Sequence, residues 1–403
     1  MLSIISWRNV WRSKGRSFVV IGAIVLGISA LTFAFAFMKS FIQVYIDNAI
    51  NSQYGHVQLH HPKFSANKDV EFQIDNAEQV INSLRQNERV ASVTSRTLIS
   101  GMANTAEGTS GIQIHGIVPE DEAKVFRLEE SVVEGAYFEE VKRNPILIGN
   151  DLAEKLDVEV KSKIVLTFTD EEGNLTSAAF RIAGIFDTNS PLLNQAGAFV
   201  LQNDLHRLLD SEMINEVVVR LNNPENLSGV TEQLSSSFPI LEVKNWKELA
   251  PELELIITQT STVLFIIMAI IMLAMGFGIV NTMLMAVLER MKEIGVLMAI
   301  GMNKSRIFTM IVLETIMLAL VGGPTGLLLG LAIVKHFHHY GFDLSDYAKG
   351  LDKFGYDTTV YPDLAPQYYF YLAAGVVVTA IIGAIYPAIK AIKLKPVAAI
   401  NKI

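Results

Sequence analysis

The chain has 403 residues, no cysteine and a formal net charge of −8, and 50% of its residues are hydrophobic. The absence of cysteine excludes a disulfide framework and a thiolate metal site. The hydrophobic residues are concentrated in long uncharged runs, a pattern typical of a membrane protein and not of a soluble protein of this length.

Four runs are long and apolar enough to cross a bilayer, for which a helix needs about 20 residues. Residues 17–38, 255–288 and 367–389 carry no formal charge, and residues 307–334 carry only Glu314. We therefore predict four transmembrane helices. The first run lacks a small-residue cleavage site and continues as an amphipathic segment, so we expect an uncleaved signal anchor.

Between the first two runs lies a region with the composition of a soluble domain. Alternating and helical patterns occur at both of its ends, which predicts one split α+β subdomain formed by those ends. Two alternating runs flank the turn-rich residues 171–174 and predict a β-hairpin in an inserted second subdomain. The amphipathic segments that bracket the region predict a paired helical stalk.

Basic residues near the ends of the apolar runs set the predicted orientation. Residues 1–16, the link 289–306 and the tail 390–403 are rich in lysine and arginine, which places all three segments in the cytoplasm. Most acidic residues then lie on the other side of the membrane. An acidic exterior argues against nucleic acid as the main partner.

No catalytic motif accompanies these runs. The sequence contains no G-x-x-x-x-G-K-[ST] loop for ATP, no H-E-x-x-H and no G-x-S-x-G. Six histidines are the remaining metal candidates, but a site needs three or four ligands in register, and no carboxylate or cysteine stands beside them in the sequence. We therefore predict structural roles and no metal site for His56, His60, His61, His336, His338 and His339.

Three features of the apolar runs have alternative interpretations. Glu314 is an intramembrane acid, for which a structural ion pair is favoured over a proton relay because no second buried ionisable residue accompanies it. The G-x-x-x-G-x-x-x-G spacing of Gly322, Gly326 and Gly330 predicts close helix packing. A methionine stripe indicates either a substrate groove or, more simply, helix packing: Met268, Met272 and Met275.

The charged link between the second and third runs is the strongest functional signal. Its charges alone suit an amphipathic helix lying on the membrane surface. That interpretation explains less about Gly295 and Gly301, which are expected to mark a close approach and a helix end. A short helix with one charged and one apolar face suits docking into a groove of a partner protein.

Three segments of the chain resemble one family. The link LERMKEIGVLMAIGMNKSRI resembles the segment after the second transmembrane helix in permeases of the FtsX, MacB and LolC/LolE superfamily, the mechanotransmission (type VII) ABC transporters. WRNVWRSKGRSFVVIGAIVLGI resembles their N-terminal helix, and YPAIKAIKLKPVAAI resembles their closing motif. The segments occur in the family's order, so the resemblance covers the whole chain.

The resemblance implies a four-helix membrane domain that dimerises and carries a large α+β periplasmic domain with two lobes, called porter and sabre. It implies that the link is a coupling helix resting on a separate ATPase subunit, which binds ATP and Mg²⁺, so that this chain binds no cofactor itself. The residues implied in coupling are Glu289, Arg290, Lys292, Glu293, Ile294, Gly295, Ala299 and Gly301.

Within the superfamily the chain looks most like the LolC/LolE group, which implies release of lipoproteins from the inner membrane. The expected partners are an ATPase, a second permease copy or paralogue, a lipoprotein and a periplasmic carrier. MacB-like efflux and an FtsX-like signal relay to a cell-wall hydrolase are the alternatives. The expected organisation is a cytoplasmic segment 1–16, helix 1 with stalk 17–50, periplasmic domain 51–248, stalk with helix 2 249–288, coupling helix 289–306, helix 3 307–334, periplasmic loop 335–366, helix 4 367–389 and cytoplasmic tail 390–403.

Overall fold

The computed structural model describes residues 2–67, 71–139, 141–170, 172–345 and 359–393. These residues form two compact units. The helical unit contains residues up to Gln43, Ile256–Leu344 and the residues from Thr359 onward, and the α+β unit consists mainly of Val44–Leu255. The end of the tail, from residue 394, lies outside the described residues, as do residues 346–358 of the predicted loop 335–366.

The helices are α1 (Leu2–Arg12), α2 (Lys14–Ala49), α3 (Phe64–Asn67), α4 (Ala77–Arg85), α5 (Pro119–Phe126), α6 (Asn150–Leu156), α7 (Pro191–Ala196), α8 (Gln202–Leu209), α9 (Leu227–Ser237), α10 (Trp246–Leu249), α11 (Pro251–Glu289), α12 (Met291–Ala299), α13 (Lys304–Tyr340) and α14 (Pro366–Ile392). A π-helical turn, Ile50–Tyr54, follows α2.

The strands are β1 (Val57–His60), β2 (Val90–Asn104), β3 (Thr109–Ile117), β4 (Val132–Gly135), β5 (Pro145–Gly149), β6 (Lys163–Thr169), β7 (Leu175–Phe186), β8 (Gly197–Leu201), β9 (Glu216–Leu221), β10 (Glu242–Asn245), β11 (Phe342–Asp343) and β12 (Thr359–Val360).

Four helices of the described chain are long and apolar enough to cross a membrane: α2 with its π-helical turn, α11, α13 and α14. The helical unit therefore has the four candidate transmembrane helices that the uncharged runs predict. Each helix continues beyond its run, by up to eleven residues at the end of α2, because backbone hydrogen bonding does not stop where the first charged side chain appears. Asn303 caps the start of α13 by accepting a hydrogen bond from the Ser305 amide.

Glycines allow α13 to approach α2 closely. A Cβ atom at Gly322 would lie 2.9 Å from the Ile24 Cβ, and one at Gly330 would lie 2.7 Å from the Thr32 Cβ. Gly326 is equally tight, with a Cβ position 3.0 Å from the Val25 Cα. The glycine spacing thus serves helix packing, because any side chain at these positions would push the two backbones apart.

In the α+β unit, ten strands form one connected sheet in the order β10-β1-β9-β2-β3-β8-β5-β7-β4, with β6 pairing with β2 and β7. Strands from both ends of the region, β1, β9 and β10, are neighbours, as expected for a split subdomain. The predicted hairpin is confirmed, since β6 and β7 pair antiparallel from Lys163 with Arg181 to Thr169 with Leu175. Long β2 belongs to both parts of the sheet.

The alternating sequence GHVQLHHP is typical of a strand with His56 and His60 on one face, and it forms strand β1, but that strand has no exposed face. All four residues of β1 are buried. The strand pairs with β9 along one edge and with β10 along the other, and the burial of successive side chains shows that both of its faces are covered. The two stalk segments meet within the α+β unit, where the Tyr54 hydroxyl forms a hydrogen bond with the Glu252 carboxylate.

The glycine contacts predict the effect of Gly330→Ala. Because the Thr32 Cβ is attached directly to the α2 backbone, a new Cβ 2.7 Å from it forces the helices apart, and we expect a loss of about 1–3 kcal/mol. Thermal unfolding of the full chain in detergent measures the change. Gly278→Ala is the matched control because nothing lies within 4 Å of its Cβ position. Equal melting temperatures for both variants would contradict close packing at Gly330.

Candidate functional site

The link between α11 and α13 forms a short, sharply bounded helix. Arg290 leaves helical geometry, with φ −99° and ψ 19°, and α12 then runs from Met291 to Ala299. Gly301 adopts φ +93°, a conformation that ends the helix and that side chains disfavour. The helix is therefore shorter than the predicted coupling segment, because Glu289 is the last residue of α11 and the non-helical Arg290 separates α11 from α12.

Helix α12 has one buried and one exposed face. Ile294 and Gly295 are buried. Val296 is 49% exposed and Ile300, just past the end of the helix, is 75% exposed. Their neighbours on the exposed side are Lys292, Glu293 and Ala299, at the spacing of one helical face. An apolar stripe flanked by charges is thus presented outward by the helical unit.

Arg290 and Glu314 form an ion pair inside the helical unit. Arg290 Nη1 lies 3.0 Å from Glu314 Oε1 and 3.3 Å from Oε2. The structural ion pair favoured for Glu314 is therefore present. Arg290, predicted among the coupling residues, is directed towards α13, and its side chain is only 17% exposed.

Two exposed ion pairs connect the N-terminal residues to the same link. Arg12 Nη2 lies 2.7 Å from Glu293 Oε1, and Arg16 Nη1 lies 2.5 Å from Glu289 Oε2. Arg12 and Arg16, which the sequence suggested only as markers of orientation, thus have partners 281 and 273 residues further along the chain. No local pattern indicates contacts at such a separation.

The methionine stripe of α11 fits helix packing. Met272 and Met275 are buried, and Met268 is partly buried against the same apolar core. The Met272 Cε lies 3.1 Å from the Cβ position of Gly375 in α14, and the Met275 Sδ lies 4.0 Å from that of Gly27 in α2. These contacts support the packing alternative, since Met272 and Met275 fill space between helices of the same chain.

The histidines make structural contacts. Among the described residues, no group of three or more His, Cys, Asp or Glu side chains is arranged to hold a metal ion. His56 Nδ1 accepts a hydrogen bond from the Leu221 amide, and His338 Nδ1 lies 3.2 Å from the Pro362 carbonyl oxygen. His60, which has no carboxylate neighbour in the sequence, lies 3.1 Å from a Glu216 oxygen because β1 and β9 are paired in the fold.

A buried charged cluster in the α+β unit was missed by the sequence analysis. Arg96 of β2 binds Glu122 of α5 with its Nε at 2.9 Å and Glu216 of β9 with its Nη1 at 3.2 Å. Thr94 donates a further hydrogen bond of 2.9 Å to Glu122. The sequence offered one signal for this cluster, the charged Arg96 inside a predicted strand. Its partners Glu122 and Glu216 are 26 and 120 residues away, so the sequence does not identify them.

The pKa of Glu216 reflects its partners in this cluster. Burial alone raises the pKa of the carboxyl, but the hydrogen bond from His60 and the positive charge of Arg96 outweigh burial and lower it from 4.5 to about 2. The carboxylate form is therefore favoured in the folded state. Glu216 consequently stabilises the fold above pH 4.5, and this contribution is lost as the pH falls towards 2.

Arg96 and Glu216 of the cluster line a cavity of about 640 Å³ in the α+β unit. Its wall combines buried ionisable groups with amide side chains and leucines, among them Arg96, Glu216, Gln58, Gln113 and Leu193. The wall carries two basic side chains, Arg96 and Lys244, and two acidic ones, Glu216 and Glu248. The cavity is consequently close to neutral, which suits neither a metal ion nor a phosphate group.

The family follows from two matches with known protein families. A MacB-like periplasmic core domain matches residues 17–237, and an FtsX-like permease C-terminal domain matches residues 265–396. The first match alone covers more than half of the chain. The chain belongs to the FtsX/MacB family of ABC transporter permeases. Membership agrees with the four apolar helices and with an α+β domain inserted between the first two.

The relatives of the chain include members of the LolC/LolE group and of the MacB group. The chain is 22% identical to the lipoprotein-releasing system transmembrane protein LolE of Haemophilus influenzae, over 97% of both chains. It is 28% identical to the macrolide export ATP-binding/permease protein MacB of Acinetobacter baylyi, over 49% of this chain and 28% of that protein. The periplasmic region of MacB from Actinobacillus actinomycetemcomitans is 13% identical, with a TM-score of 0.36, over 52% of this chain and 97% of that chain.

The Glu216 environment predicts a pH effect. We expect the wild-type chain to lose stability as the pH falls from 4.5 to 3. The whole shift of the Glu216 pKa corresponds to a free energy of unfolding on the order of 3 kcal/mol, and part of that is lost over this range. Glu216→Gln should be less stable at pH 7, because Arg96 loses a partner, but should show a flatter acid dependence. Thermal unfolding at pH 3 to 7 tests this, with exposed Glu225→Gln as the control. An unchanged acid slope in Glu216→Gln would contradict the assignment.

Proposed function

We propose that this chain is the permease subunit of an ABC transporter that releases lipoproteins from the inner membrane. A separate ATPase subunit, holding ATP and Mg²⁺, hydrolyses ATP and moves the helical unit, and the movement changes the conformation of the α+β unit. The observation that carries this proposal is α12, whose exposed apolar stripe lies between two membrane-length helices. A stripe of that kind suits a groove in a partner protein.

The proposed orientation places the ATPase side in the cytoplasm. The N-terminal residues, the link with α12 and the end of α14 carry the lysines and arginines that favour the cytoplasmic side. The α+β unit then lies in the periplasm, and both termini lie in the cytoplasm. Residues 289–306 supply the coupling helix in this arrangement, and a second permease copy or paralogue completes the membrane dimer.

Lipoprotein release is supported by similarity to LolE along nearly the full length of both chains. MacB-like efflux is the second candidate, supported by the match of residues 17–237 to the MacB-like periplasmic core domain. An FtsX-like relay to a cell-wall hydrolase is the third, supported by the match of residues 265–396. The three candidates share the ATPase and α12 but differ in what the periplasmic domain contacts.

The distinguishing experiment is reconstitution of the purified chain with its co-purifying ATPase in proteoliposomes containing acylated lipoproteins. ATP-dependent transfer of lipoprotein to a soluble periplasmic carrier is expected. Retention of every lipoprotein, together with ATP-dependent macrolide efflux or activation of a wall hydrolase, would replace the proposal by one of the alternatives. Omission of ATP is the control for spontaneous transfer.

The exposed stripe predicts the effect of Val296→Asp and of Ile300→Asp. A carboxylate on the docking face must be desolvated on contact, so we expect at least a tenfold loss of co-purified ATPase, about 1.4 kcal/mol or more. Membrane insertion should be unchanged because both side chains face outward. Ile240→Asp, at a position 78% exposed in the α+β unit, is the matched control. Normal ATPase recovery with both α12 variants would exclude this face as the contact.

A further inference from the structure

Arg290 is the one residue between α11 and α12, and its backbone is not helical. Any change in the angle between the two helices therefore requires rotation of the backbone at this residue or at its immediate neighbours. Its side chain does not point along α12 but reaches Glu314, 24 residues further along in α13. The junction between two helices is thus attached to a third.

The attachment is largely shielded from water. The side chains of Arg290 and Glu314 are 17% and 9% exposed. One guanidinium nitrogen approaches both carboxylate oxygens, at 3.0 Å and 3.3 Å. Separating a buried pair leaves each charge without its partner in a poorly solvated site, so the pair resists being pulled apart far more strongly than an exposed pair does.

The surrounding contacts differ in strength. Arg290 Nε also lies 3.5 Å from Glu293 in the first turn of α12, and Glu293 binds Arg12 of α1. These outer contacts are exposed to solvent, and exposed ion pairs are weak. The Ser6 hydroxyl donates a hydrogen bond of 3.1 Å to the Met310 carbonyl oxygen, so α1 is attached to α13 as well.

A cavity of about 100 Å³ lies beside the pair. Its wall includes Ile294 and Leu297 of α12, Val287 of α11 and Ile311 of α13. A tightly filled interface resists displacement, whereas unfilled space beside a fixed contact lets the surrounding helices tilt about it. The Arg290–Glu314 pair is therefore a strong contact that lies next to an unfilled cavity, an arrangement that lets the helices tilt about the pair.

We propose that the Arg290–Glu314 pair is the pivot that transmits displacement of α12 to α13, which makes both residues positioning residues for coupling. This inference rests on the proposed function, because it assigns the route by which movement imposed by the ATPase enters the helices. Without the pair, α12 still moves with α11, whereas α13 is joined to α12 chiefly through residues 300–303, a turn in which Gly301 has a positive φ, so α13 follows α12 much less closely.

The first test needs only the full chain in detergent. Hydrogen exchange of the amides of α12 is compared between the wild type and Glu314→Gln. Loss of the attachment should raise α12 exchange at least tenfold, and the charge-reversed pair Arg290→Glu with Glu314→Arg should restore most of the protection. Arg306→Gln removes an exposed positive charge near the same end of α13 and is the matched control. Unchanged α12 exchange in Glu314→Gln would overturn the pivot.

The second test measures coupling in the complex with the co-purifying ATPase. Because the chain has no cysteine, single cysteines introduced at Leu273 of α11 and Thr325 of α13, both exposed, can carry spin labels. In the wild type α13 follows α12 and α11, so the distance between the labels should change little between the ATP-bound and nucleotide-free states. In Glu314→Gln α11 still moves but α13 lags behind it, so the change in distance should be at least twice that of the wild type, with the ATPase still bound.

The outcomes separate the two proposals. Equal, nonzero distance changes in the wild type and in Glu314→Gln overturn the pivot and leave the proposed function intact. A wild type that binds no ATPase, or the lack of any nucleotide-dependent change in both proteins, overturns the proposed function, and hydrogen exchange then decides whether Arg290 and Glu314 form an attachment at all. If Glu314→Gln does not fold, Glu314→Asp takes its place, since its shorter side chain lengthens the pair while keeping the charge.

Discussion

Polar groups inside an apolar helical bundle must find partners within the protein, because lipid offers none. This constraint determines much of the helical unit. Glu314 is the single acid in the third apolar run, and its partner Arg290 lies at the junction of α11 and α12. The Thr32 hydroxyl is satisfied by the Ile28 carbonyl of its own helix, which leaves its Cβ free to pack on Gly330. Polar pairing and close glycine packing therefore hold the same helices together.

The α+β unit meets a similar constraint in a different way. Arg96 lies on β2, the strand that pairs with both parts of the sheet, and it binds carboxylates from α5 and β9. A buried guanidinium with two carboxylates leaves little freedom in how these elements are arranged, because each unpaired charge would be costly. The cluster consequently specifies the arrangement of the split subdomain more strictly than its apolar contacts alone.

The proposed function rests on these physical features together with family membership. An outward apolar stripe on α12 and a large inserted domain are what a subunit needs if it receives movement at one end and acts at the other. The four apolar helices and the inserted α+β domain are general to that design. Under the proposed function the surface of the α+β unit selects the cargo, and the 22% identity to LolE is an average over 97% of the chain.

The sequence by itself determined the number of apolar helices, the inserted α+β domain, the β6–β7 hairpin and the glycine packing positions, because each is encoded in neighbouring residues through length, period or spacing. It also placed a short helix between the second and third runs. Only the tertiary structure decided that Arg290 faces Glu314, that Arg12 and Arg16 bind Glu293 and Glu289, and that His60 has a carboxylate partner. Those contacts join residues that are distant in the chain, and local patterns carry no information about which distant side chains the fold brings together.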